Sequence, residues 1–104
     1  MMSGSIHATA IIDPGAELGA GVEIGPYAVI GRDVSLGEGT RIEAHVVIDG
    51  RTAIGPACHV FPFASLGLPP QDKKFRGEDS RLEIGRGTVI REHVTINPGT
   101  EGGG

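Results

Sequence analysis

The sequence predicts an all-β chain wound as a single-stranded parallel β-helix, with three six-residue repeats to each coil. Two periodic signals and one compositional signal predict it. A branched aliphatic residue recurs at every sixth position from Ile6, Ile12 and Leu18 through Val60 and Leu66, and again at Ile84, Ile90 and Ile96. Four residues after each comes a small or β-branched side chain, from Ala10, Ala16 and Val22 to Cys58, Ala64, Thr88 and Val94. Of 104 residues, 18 are Gly and 7 Pro, aromatics are 4% and Trp is absent, so a large aromatic core is excluded and a narrow core of repeated units is required.

The elements follow from the spacing. A period of six does not match the 3.6 residues of a helix turn, but it suits a short strand and a corner. The aliphatic residue and the residue two before it share one face of that strand, so both point inward, one large and one small. Glycine follows the aliphatic position at Gly19, Gly25, Gly31, Gly37, Gly55, Gly67 and Gly85, and is expected to supply the tight or left-handed backbone of the corner. Three hexads close a coil of 18 residues, and coils stack at about 4.8 Å, leaving ladders of aliphatic side chains along the interior.

The repeat lapses at Asp72 and Glu78. Residues 67–81, charged and proline-bearing, read as a loop ejected from an otherwise regular domain spanning 1–104. Such loops on a rigid scaffold often carry function. Within it, Asp72 can accept hydrogen bonds from sugar hydroxyls and Lys74 can meet a phosphate, while a plain solvated loop fits the same composition.

Composition narrows the function classes. A net charge of −4 gives no footprint for nucleic acid. No apolar run approaches a membrane span, the start lacks the features of a signal peptide, and the single cysteine suits a reducing compartment, so a cytoplasmic location is expected. Cys58 occupies a small inward position and reads as a packed thiol. The histidines His7, His45, His59 and His93 are separated by 38, 14 and 34 residues, a poor spacing for metal ligation on 18-residue coils. The spacing gives no ground to expect a metal site.

The order of motifs is more specific than the hexads. Ile24-Gly25-Pro26-Tyr27, His45-Val46-Val47-Ile48-Asp49-Gly50, Phe63-Ala64-Ser65-Leu66-Gly67, Gln71-Asp72-Lys73-Lys74-Phe75, Ile90-Arg91-Glu92-His93-Val94-Thr95-Ile96-Asn97 and the Gly102-Gly103-Gly104 end follow one another. In this the chain resembles the N-terminal part of the acyl-[acyl-carrier-protein]–UDP-N-acetylglucosamine O-acyltransferases, a hexapeptide-repeat family, over essentially its whole length. The resemblance implies a left-handed helix, an exception to the usual right-handed crossover. It also implies a homotrimer with active sites between neighbouring helices. The implied reaction moves a 3-hydroxyacyl chain from acyl carrier protein to the 3-hydroxyl of UDP-N-acetylglucosamine, the first step of lipid A biosynthesis. By the same resemblance a histidine acts as general base, backbone N–H groups steady the oxyanion, and no metal or organic cofactor is implied.

Carried over residue by residue, the resemblance places Gln71, Asp72 and Lys74 near the nucleotide-sugar site. Asn97 stands where some members have histidine, and its amide can bind substrate but cannot serve as a base. None of the four histidines matches the family's base, which is expected on coils beyond Gly104 together with the acyl groove and a helical domain, so the 104-residue chain alone is expected to be inactive. Two other readings stay open: another hexapeptide-repeat sugar acyltransferase, or a non-catalytic β-helix serving binding or assembly.

Overall fold

The structure is a computed structural model and describes residues 5–67 and 81–96. The described chain forms thirteen short strands: β1 (Ile11–Ile12), β2 (Glu17–Leu18), β3 (Glu23–Ile24), β4 (Val29–Ile30), β5 (Val34–Leu36), β6 (Arg41–Ile42), β7 (Val47–Ile48), β8 (Thr52–Ile54), β9 (His59–Val60), β10 (Ser65–Leu66), β11 (Leu82–Ile84), β12 (Val89–Ile90) and β13 (Thr95–Ile96). They make three parallel sheets, β1-β4-β7-β10-β13, β2-β5-β8-β11 and β3-β6-β9-β12, so that successive strands belong to successive sheets. The chain therefore circles a three-sided prism and stacks each strand on the one three earlier.

Register follows the hexads. Ile12 pairs with Ile30, Leu18 with Leu36 and Ile24 with Ile42, each 18 residues on. Across residues 68–80 the separation becomes 30, with Leu66 against Ile96, Ile54 against Ile84 and Val60 against Ile90. The extra length equals two hexads, which is why the six-residue phase survives the interruption.

The inward positions make one continuous core. Ile30, Ile42, Ile48, Val60 and Leu66 are at most 1% exposed, and the small partners Ala28, Val46 and Ala64 are fully buried. Leu82 joins them as the inward neighbour of Thr52, a position the interrupted repeat did not reveal. Ile6, expected inside, is 51% exposed: it bridges only Ile24, at the end of the stack, where no described coil covers its other side. The buried hydroxyls are paired. Thr40 Oγ1 donates to the Gly55 carbonyl at 2.8 Å, and Thr52 Oγ1 donates to the Asp49 carbonyl at 2.7 Å. Cys58 is buried, with Sγ 3.1 Å from the Gly85 carbonyl oxygen, as befits a packed thiol.

The corners correct the expectation for glycine. The left-handed residues mostly stand three positions after the aliphatic residue, and many are not glycine. One corner uses Gly21, Gly39, Ala57 and Gly87; the next uses Tyr27, His45, Phe63 and His93, all with φ between 59° and 73°. This backbone turns an N–H toward the coil below, as where His45 N donates to the Pro26 carbonyl at 3.0 Å and Phe63 N to the Ala44 carbonyl at 3.2 Å. The glycines directly after the aliphatic residue, Gly85 excepted, answer a different need, close approach between coils. A Cβ at Gly19 would lie 2.7 Å from the backbone nitrogen of Glu38. Gly67 combines both demands, since its φ is +79° and a Cβ there would collide with the Asp49 carbonyl and the Thr52 hydroxyl.

Candidate functional site at the corner after the first sheet

The four substrate-binding candidates, Gln71, Asp72, Lys74 and Asn97, lie outside the described residues. The described strands fix where their segments are anchored. Gly67 is buried at the end of β10 and its N–H donates to the Ile96 carbonyl at 2.8 Å. The chain resumes at Arg81, and Leu82 N donates to the Arg51 carbonyl at 2.8 Å. Asn97 follows Ile96 directly, and Ile96 is paired with Leu66. Parallel register thus brings Gly67, Arg81 and Ile96 to one corner, between the sheet ending in β13 and the sheet ending in β11.

Beneath this corner the backbone is closely specified. Gly50, with φ +68°, receives its neighbour's side chain, as its N–H donates to Asp49 Oδ1 at 2.8 Å. A Cβ on Gly50 would come within 2.6 Å of the Gly67 carbonyl oxygen. Beside it runs a shallow groove of about 410 Å³, lined by Arg32, Arg51 and Arg81 and also by Glu17, Asp33 and Glu83. Arg81 pairs with Glu83 at 3.6 Å on an exposed surface, so the groove walls carry equal numbers of both charges.

The four histidines all lie among the described residues. His7 Nδ1 lies 2.9 Å from Thr9 Oγ1 near the first coil. His45 and His93 are exposed members of a ring stack with Tyr27 and Phe63, whose centroids follow one another at 5.2, 5.0 and 5.3 Å. His59 is half-buried; its Nε2 is 2.6 Å from Glu43 Oε2 and its ring stacks on Phe61 at 4.2 Å. The Arg91 guanidinium covers Phe61 at 4.1 Å. Among the described residues, no group of three His, Cys, Asp or Glu side chains is arranged to hold a metal, and no helix is long and apolar enough to cross a membrane.

The sequence reading missed the ring stack and the Glu43–His59 pair. The stack had a visible signal, since Tyr27, His45 and Phe63 recur at the 18-residue coil period and His93 follows at the lengthened one. The pair had none, because two residues 16 apart meet only once the coils are stacked.

Repeat, register and corner together define a hexapeptide-repeat β-helix, and the chain matches the bacterial transferase hexapeptide (six repeats) family over residues 15–50. Within that class it belongs with the acyl-[acyl-carrier-protein]–UDP-N-acetylglucosamine O-acyltransferases. It is 52% identical over 92 residues to the protein of that name from Thermodesulfovibrio yellowstonii, covering 88% of this chain and 36% of the relative. It is 47% identical over all 104 residues to the one from Rickettsia canadensis, covering 39% of that protein. A crystal structure of a UDP-N-acetylglucosamine acyltransferase superposes with a TM-score of 0.89 at 51% identity, covering 94% of this chain and 38% of the other. The Acinetobacter baumannii LpxA structure gives 0.87 at 47%, covering 94% and 39%. The chain spans less than two fifths of the length of these relatives. Hexads and likeness together give the left-handed parallel β-helix expected from the motifs.

Proposed function

We propose that this chain is part of an acyltransferase that moves a 3-hydroxyacyl group from acyl carrier protein to the 3-hydroxyl of UDP-N-acetylglucosamine, the opening step of lipid A biosynthesis. The observation that carries the reading is the likeness in sequence and fold over 94% of the chain to a UDP-N-acetylglucosamine acyltransferase. In this reading, Asp72 accepts hydrogen bonds from sugar hydroxyls, Lys74 meets the phosphates, and the amides of Gln71 and Asn97 complete the contacts. The base that takes the hydroxyl proton is none of His7, His45, His59 or His93. None of the four stands in the sequence context of the family's base. The reaction uses no metal, and the protein acts in the cytoplasm as a homotrimer.

One face suits self-association. The outward residues of β1, β4 and β7 are Ile11, Val29 and Val47, with Ile11 65% exposed, and the adjoining corner presents Tyr27 at 58% and Phe63 at 52%. The other two sheets turn Glu17, Ser35, Ala53 and Glu83 outward on one and Glu23, Arg41, His59 and Val89 on the other.

The test is a chimera in which residues 1–104 replace the matching stretch of the Thermodesulfovibrio yellowstonii relative. Transfer of acyl groups to UDP-N-acetylglucosamine is expected, with Asp72→Ala and Lys74→Ala each raising the KM for the nucleotide sugar at least about tenfold, the loss of one charged hydrogen bond. A folded chimera with no turnover would overturn the functional reading. Turnover with KM unmoved by either substitution would overturn the assignment of Asp72 and Lys74 alone.

A further inference from the structure

We draw no further inference here: the strongest candidate, the groove of Arg32, Arg51 and Arg81 on the outer side of the β2-β5-β8-β11 sheet, carries Glu17, Asp33 and Glu83 on the same walls, and nothing in the structure shows what would cover it.

Discussion

Residues whose chemistry looks minor decide how closely the coils pack. Gly39 and Gly67 both adopt left-handed backbone, yet a Cβ at Gly39 would meet nothing within 4 Å, whereas one at Gly67 would strike the Asp49 carbonyl and the Thr52 hydroxyl. Gly39→Ala should therefore cost about 1–2 kcal/mol, the penalty of the left-handed region alone. Gly67→Ala should cost at least about twice that, because backbone must move as well. Urea unfolding of the two variants in parallel checks the order, and equal midpoints would show that the corner at Gly67 yields freely. Thr52 offers a cleaner deletion. Its side chain is buried and its hydroxyl serves the Asp49 carbonyl. Thr52→Val keeps the volume and removes the donor, so a loss of about 1–2 kcal/mol is expected in the same assay. A loss near that of a surface substitution would mean that the carbonyl finds another donor.

The corner elements show what a linear sequence conceals. Inward positions were legible because a strand has only two faces and the hexad names one of them at Ile24, Ile30 and Leu36. Leu82 was not, since its hexad lacks the aliphatic mate at Glu78. The corner residues were misjudged for another reason. Glycine's lack of a side chain serves both positive φ and close approach, and the sequence alone does not separate the two uses. Nor does it show that Tyr27, His45, Phe63 and His93 tolerate a left-handed backbone, since the compensation lies in contacts between coils. Phe63 stacks on His45 and His93, and such pairs contribute roughly 0.5–1.5 kcal/mol each. Phe63→Ala keeps the backbone penalty and removes both stacks, so unfolding should come about 1–3 kcal/mol earlier. Thermal or urea denaturation measures this, and an unchanged midpoint would show that the stack is a consequence of the coil spacing with no stabilising share. The candidate contacts were legible only as a motif. Gln71, Asp72, Lys74 and Asn97 were read from residue order, and the strands add only that the described residues Gly67, Arg81 and Ile96 meet at one corner.

At the scale of the molecule, stability is distributed coil by coil, each touching mainly its neighbours. Such a stack distinguishes sharply between its sides and its faces. Two sheets turn charged side chains outward, with Val89 an exposed apolar exception, and the third turns Ile11, Val29 and Val47 outward beside the exposed rings, followed by Ser65 and Thr95. If that side seats other copies, a Val29→Asp, Val47→Asp double variant should sediment as a monomer while keeping the β-sheet circular dichroism of the parent. A variant that stays associated would place the contact elsewhere.

The ring stack also gives the prism a mechanical direction. Planar groups spaced by 5.0–5.3 Å fill the rise between coils along one edge, while the edge of Gly21, Gly39, Ala57 and Gly87 carries nothing larger than one methyl group there. Bending toward the rings would press ring on ring, and bending toward the glycines would meet backbone and one methyl group. The prism is therefore expected to bend more readily toward its glycine corner than toward its aromatic one.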